Sequence, residues 1–283
     1  MPDRKWDPKG GHAGKPFRAR PGRDKSDKSR FAPKPKPERP RIPDGVAILY
    51  GWHTVAAALA NPRRVIHKIV ATENGARRIT DEGLTMPVAP EIVRPEAIAA
   101  RLTPDAVHQG LLVEADPLPA LDIEDIAAEG IVLVLDQLTD PHNVGAILRS
   151  AAAFGVRAIV TTARHSPEAT GVLAKSASGA LDVVPMVSVA NLARALADLK
   201  ERGFLTVGLD SEGETDLAAA ALREPLALVL GAEGKGLRQL TRQSCDICAR
   251  LELPGAIKSL NVSNAAAVAL YAASAALRGV RGA

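Results

Sequence analysis

Four small polar side chains within six residues, Ser259, Asn261, Ser263 and Asn264, crowd the start of an alanine-rich stretch. In that stretch Val262, Ala266, Ala269, Ala273 and Leu277 recur at helical spacing. A side-chain oxygen at a helix start bonds a free backbone N–H, so one of the four is expected to cap the helix. The others exceed what a cap requires and suit a polar ligand, because exposed N–H groups at a helix start attract one. Upstream, Arg149 stands among Ala146, Ile147, Ala151, Ala152 and Ala153. A guanidinium is unfavourable to desolvate unless paired, so a partner is expected, either a structural carboxylate or a ligand. Asn143 lies about 120° from Arg149 around an ideal helix, a gap that loop geometry at Asn143 is expected to close.

Two further clusters carry possible chemistry. Gly231-Ala232-Glu233-Gly234-Lys235-Gly236-Leu237 succeeds an apolar run, which invites a nucleotide-loop reading. Gly236 is followed by Leu rather than Lys-Ser/Thr, and the spacing misses G-x-G-x-x-G, so neither phosphate-binding fingerprint is present. Glu233 would repel a phosphate, and suits backbone organisation or a neutral or cationic ligand. Cys245 and Cys248 are the two cysteines. A lone Cys-x-x-Cys fits a redox pair or half a zinc site, but a structural zinc wants four ligands and no second cluster is nearby. Two reduced, partly buried thiols and no metal are expected.

These residues need elements to position them. Residues 46–50, 65–71 and 111–115 read as strands and 54–60 and 91–101 as helices, a small α/β unit. The continuous apolar run 131–135 reads as a parallel strand buried on both faces. Strand and helix signals then alternate: strands at 158–162, 183–189, 204–209 and 226–230, helices around 169–178 and 192–202. Leu251 and Leu253 read as a strand end, which Pro254-Gly255 breaks. The second unit is thus α/β with a mostly parallel sheet.

Charge is concentrated at one end. Of 283 residues with a net charge of +4, residues 1–41 hold 14 Lys/Arg and 5 Asp/Glu, a net of +9, leaving 4 − 9 = −5 for the rest. Nine of the 21 prolines precede Asp44, apolar residues there are scarce, and burial cannot offset chain entropy. A disordered basic tail is expected over 1–43, able to gather polyanions by counterion release. Its acidic residues argue against a mitochondrial transit peptide, and no apolar signal core is present. No run reaches the ~18 apolar residues of a membrane helix. A soluble, cytoplasmic protein without a membrane partner is expected.

Three strings resemble signatures of one family. Asp136-Gln137-Leu138-Thr139-Asp140-Pro141-His142-Asn143 running to Arg149-Ser150, the Gly231–Leu237 loop, and Leu253-Pro254-Gly255 with Ser259-Leu260-Asn261-Val262-Ser263 resemble, in order, the three signatures of the SpoU (TrmH) RNA ribose 2′-O-methyltransferases of the SPOUT superfamily. Leu49-Tyr50-Gly51-Trp52-His53 and His108-Gln109-Gly110 resemble the ribosomal-protein-like RNA-binding domain of one branch. The resemblance implies a substrate-binding domain at 44–116, a linker at 117–128 and a methyltransferase domain at 129–283. It also implies a trefoil knot, against the general rule that chains are unknotted, and a homodimer whose active site spans both subunits. His53 and His108 are read as structural hydrogen-bonding groups ahead of RNA contacts. Asn264 and the Ala after Tyr271 depart from the commonest pattern without touching the chemistry.

By the same resemblance S-adenosylmethionine is the cofactor, contacted mainly through the backbone of Gly231, Leu253 and Leu260. Arg149 would be the catalytic residue, with Asn143, Ser259, Asn261 and Glu233 completing the site. A guanidinium hardly ever gives up its proton, so Arg149 is expected to stabilise the forming alkoxide while an RNA phosphate or water takes the proton. Asn143, Ser259 and Asn261 would orient ribose, phosphate and Arg149. The extra domain points to a guanosine of 23S rRNA, with tRNA as the alternative substrate. A non-catalytic RNA-binding protein would have no need for Arg149, Ser259 and Asn261 together, and a redox or nucleotide enzyme is disfavoured by the loop and cysteine readings.

Overall fold

In the computed structural model the described residues are 45–104, 106–164, 171–232 and 234–281. The expected tail and Glu233 lie outside them. Apolar runs become strands in two separate sheets. In the first, β1 (Ala47–Tyr50), α1 (Trp52–Ala60), β2 (Ile66–Ala71), α2 (Glu73–Asp81), β3 (Glu91–Ile92), α3 (Pro95–Ala99) and β4 (Leu111–Ala115) come in that order. The sheet runs β1-β4-β2-β3, with β4 antiparallel to both β1 and β2 and β3 parallel to β2. The helix expected over 91–101 is instead a short strand and a short helix. Pro95 holds Arg94 extended (φ −75°, ψ 154°) and takes the first helical position, where its missing N–H costs nothing. Helix α2 has no counterpart among the expected elements. It buries only Gly75 and Ile79 and starts where the Thr72 hydroxyl accepts from Gly75 N.

The second sheet is built from β5 (Ile131–Leu135), β6 (Ala158–Thr162), β7 (Met186–Val189), β8 (Leu205–Leu209), β9 (Thr215–Asp216), β10 (Leu226–Leu230) and β11 (Ile247–Arg250). Its order is β7-β6-β5-β10-β8-β11-β9, and every pairing is parallel. β5, β6 and β10 are buried at all positions, as strands covered on both faces must be. One face packs on α4 (Pro141–Ala153), α5 (Gly171–Ser176) and α8 (Val262–Arg281), the other on α6 (Leu192–Glu201). The remaining helix of this part, α7 (Gln239–Ser244), leads into β11.

Two expected boundaries move. β7 begins only at Met186 because a 3-10 turn, Ala180–Asp182, and Pro185 occupy the approach. β11 ends at Arg250, so Leu251 and Leu253 lie beyond the strand, in the loop that leads to α8. On α8, Val262, Ala266, Ala269, Ala273 and Leu277 are all buried, as their spacing requires.

The small sheet docks firmly on the large one. The Thr54 hydroxyl donates to Ala174 O at 3.2 Å, and Arg64 meets Asp182 at 2.9 Å with their side chains 4% and 1% exposed. Asn61 Nδ2 donates to Asp182 Oδ1 at 3.0 Å. Gly179 (φ +88°) lies so close to α1 that a Cβ would come within 2.7 Å of His53 O. Within the segment expected to link the two parts, Asp122 and Asp125 cap a 3-10 turn, Ile123 and Ile126 are buried, and Arg202 donates to both their carbonyls.

Candidate active site

The residues with chemical potential gather at the carboxyl ends of the central parallel strands, where α/β sheets open a crevice. α4 starts there after β5. Pro141 takes its first position and the Asp140 carboxylate accepts from His142 N and Asn143 N. Asn143 therefore sits inside the first helical turn rather than in a loop, so the 120° separation from Arg149 expected of an ideal helix stands. Val144, Ile147, Leu148 and Ala151 turn into the core. Arg149 falls on the opposite, exposed face and has no ion-pair partner among the described residues. No structural carboxylate is required among the described residues, because the guanidinium is in solvent and carries no desolvation cost.

α8 starts across the same edge. Asn261 Oδ1 accepts from Ser263 N at 2.9 Å and from Ser263 Oγ at 2.6 Å, which makes Asn261 the cap. Its Nδ2 donates to Asn143 Oδ1 at 3.1 Å. The first and third motifs thus meet through a side-chain hydrogen bond, and α4 packs against α8.

Beside this bond lies a cavity of about 230 Å3. Gly231, Leu253 and Leu260 all line it, together with Ser259, Lys258 and Asp210. Gly231 is compelled by a close approach: a Cβ there would stand 2.1 Å from Gly236 C. Gly234 (φ +74°) and Gly236 (φ +65°) adopt left-handed conformations that let the loop fold back, with Gly236 N donating to Ala232 O at 2.9 Å. Lys258 is held by its ammonium on Leu253 O at 2.7 Å. The loop between β11 and α8 is thereby pinned around the opening. Arg149 is not among the lining residues.

Asp210 was not singled out by residue patterns. It comes directly after the last residue of β8, a position at a strand's carboxyl end that would have marked it. Its side chain is 12% exposed, and Oδ1 accepts from Glu212 N. Its other oxygen lies 3.9 Å from Arg242 Nη1, and Lys258 stands in the same wall, so the cavity is lined by charges of both signs. The cavity accordingly fits a polar small molecule that carries charges of both signs.

Other expectations resolve locally. His108 Nδ1 accepts from Gly110 N at 3.0 Å, and burial lowers its pKa, so the ring is a neutral structural acceptor. His53 is exposed. Cys245 and Cys248 are free thiols, half-buried, with Cys245 Sγ directed to Thr241 O.

An all-parallel sheet with a small-ligand cavity and an asparagine pair on its carboxyl edge, preceded by a docked α/β module, defines a two-part cofactor-binding α/β protein. Comparison with known proteins sharpens that class. Residues 130–271 match the model of the SpoU rRNA Methylase family, and residues 48–121 match that for RNA 2′-O ribose methyltransferase substrate binding. The chain is 39% identical over 234 residues to the 23S rRNA (guanosine-2′-O-)-methyltransferase RlmB of Ralstonia nicotianae, covering 80% of this chain and 94% of that one. It is 38% identical over 236 residues to the protein of the same name from Pseudomonas putida, with the same coverage. The structure of the SpoU methyltransferase AviRb from Streptomyces viridochromogenes, in complex with AdoMet, superposes with a TM-score of 0.70 at 22% identity, over 82% of this chain and 90% of AviRb. The chain belongs to the SpoU rRNA methylase family.

Proposed function

We propose that this protein is an S-adenosylmethionine-dependent ribose 2′-O-methyltransferase that modifies a guanosine of 23S rRNA. The observation that carries the reading is the Asn143–Asn261 hydrogen bond beside a cavity lined by Gly231, Leu253 and Leu260. Three motifs distant in sequence converge there. The substrate class is that of the Ralstonia and Pseudomonas relatives, which match along nearly their whole length. The match of residues 48–121 to a substrate-binding module supports RNA as the partner, since structured RNA is recognised largely by shape and exposed loop bases.

The cofactor supplies an electrophilic methyl group. Gly231, Leu253 and Leu260 hold it through backbone groups, and Asp210 offers a carboxylate to its positive charge. Arg149 stabilises the alkoxide forming on the ribose, with an RNA phosphate or water accepting the proton. Asn143, Ser259 and Asn261 orient the ribose and the attacking oxygen, a positioning effect worth several kcal/mol. Glu233 is assigned to the same site from its place in the glycine-rich string.

Arg149 is exposed and does not line its own chain's cavity, which favours an active site completed across a homodimer. α8 offers a surface for such a dimer, since Val268 and Tyr271 stand 46% and 64% exposed on its outer face. A trefoil knot is the topology that membership of the SpoU family supports. The protein acts in the cytoplasm, where rRNA is modified. Thermal unfolding with S-adenosylmethionine tests the cofactor assignment: a ligand that binds only the folded state must raise Tm. No shift at saturating cofactor would remove the methyltransferase reading.

A further inference from the structure

A second cavity opens at the carboxyl ends of β6 and β7, on the face of the sheet covered by α6. It encloses about 330 Å3 and is lined by Thr162, Arg164, Asn191, Arg238 and the first turn of α6, with no carboxylate among the described residues of its wall. Its floor holds an unpartnered polar group: Thr162 is 6% exposed and its hydroxyl oxygen has no hydrogen-bond partner. Leaving a buried hydroxyl unsatisfied is unfavourable by about 1–3 kcal/mol, so the wall of this cavity carries an unmet polar group.

Two arginines stand in the same wall. Arg238 is preset, because its Nε and backbone N both donate to the fully buried Asp136 carboxylate, at 2.7 Å and 3.1 Å. That leaves its terminal nitrogens for another acceptor, with the side chain 47% exposed. Arg164 has no acidic partner among the described residues. α6 turns its N-terminus to the same space. A helix leaves its first four N–H groups without intrahelical partners, Asn191 takes that of Arg194, and Leu192 and Ala193 line the cavity. Two guanidinium groups and a helix N-terminus give the cavity a positive environment that matches a tetrahedral oxyanion. The site is distinct from the cofactor cavity, which lies at β8, β10 and β11.

We infer that this cavity binds a backbone phosphate of the RNA strand that carries the target ribose, and so sets the register of that strand on the catalytic edge. Asp136 ties the two sites together. It sits directly after β5, the strand that leads into α4 and Asn143, and it holds Arg238 at the phosphate. The inference rests on the RNA-methyltransferase reading, and a free inorganic phosphate shares the same chemistry.

Arg164→Gln and Thr162→Val separate the possibilities. Arg164 is exposed, and valine keeps the shape of Thr162 while removing the orphaned hydroxyl, so both variants fold. RNA binding measured against salt concentration should lose about 0.7–1 from its log–log slope in Arg164→Gln, the signature of one phosphate contact. Thr162→Val should weaken RNA binding while its own Tm stays level or rises. S-adenosylmethionine affinity should be unchanged in both. An unaltered salt slope and RNA affinity, in protein whose wild type methylates the same RNA, would overturn this inference alone. Tm protection by inorganic phosphate that Arg164→Gln abolishes, with the RNA slope intact, would likewise overturn it in favour of a free-anion site.

Discussion

Asn261 and Asn143, 118 positions apart in the chain, share a hydrogen bond of 3.1 Å from amide nitrogen to amide oxygen. The same Asn261 caps α8 through its oxygen. One side chain therefore serves two purposes through its two ends, which makes them separable. Asn261→Asp keeps the oxygen that accepts from Ser263 N but replaces the donor to Asn143 with a second acceptor. We expect Tm to stay within a few degrees of wild type, because a carboxylate is also a good cap at a helix N-terminus. Turnover should fall by about tenfold or more as Asn143 loses its orientation. Asn261→Ala should lose about 1 kcal/mol of stability in addition. Wild-type kcat in the aspartate variant would show that the bond is only structural.

Arg149 lies outside the cavity formed by its own chain. Its replacement by alanine should lower methyl transfer by about 10²–10³-fold while cofactor affinity and Tm stay level, since the side chain is exposed. Gly231→Ala should abolish cofactor binding instead, because a Cβ would collide with the Gly236 backbone at 2.1 Å. If the site is shared between subunits, co-expressing these two inactive chains should restore part of the activity in heterodimers. No recovery in purified heterodimer would place Arg149 and the cavity of one chain in the same site.

Burial, and next the neighbouring Cys248, push the Cys245 thiol up to about 12 from an ordinary value of 9.0. The folded protein holds that proton more tightly than the unfolded chain. Its contribution to stability is therefore intact below pH 9.0 and declines as pH rises from there towards about 12, where both states are ionised. At about pH 8 the thiol is neutral, so iodoacetamide should modify Cys245 slowly in folded protein and rapidly after denaturation. Rapid labelling of folded protein would contradict the buried, unreactive thiol.

Strands buried on both faces were legible from sequence. The run at 131–135 leaves no polar face, and it and the strands expected at 158–162 and 226–230 have those bounds. Helix α2 was not legible because its sequence presents a single large apolar anchor, Ile79. Arg149 was misjudged for a different reason. Its neighbours in sequence are apolar, but a helix turns them to the other side, and burial tracks periodicity rather than proximity in the chain. For the candidate site, Gly231, Leu253 and Leu260 could be named from their motifs and do line one cavity. Asp210 could have been marked by its place after a strand, but the cavity around Thr162 could not, because it arises only where separate strand ends are brought to a common edge.

Ribose methylation in the cell decides which RNA is the substrate. rRNA and tRNA from cells with and without the gene are digested and their 2′-O-methylnucleosides compared by mass spectrometry. Loss of one 2′-O-methylguanosine from 23S rRNA, restored by the wild-type gene but not by Arg149→Ala, is the predicted result. An unchanged rRNA profile with a ribose methyl lost from tRNA would contradict it.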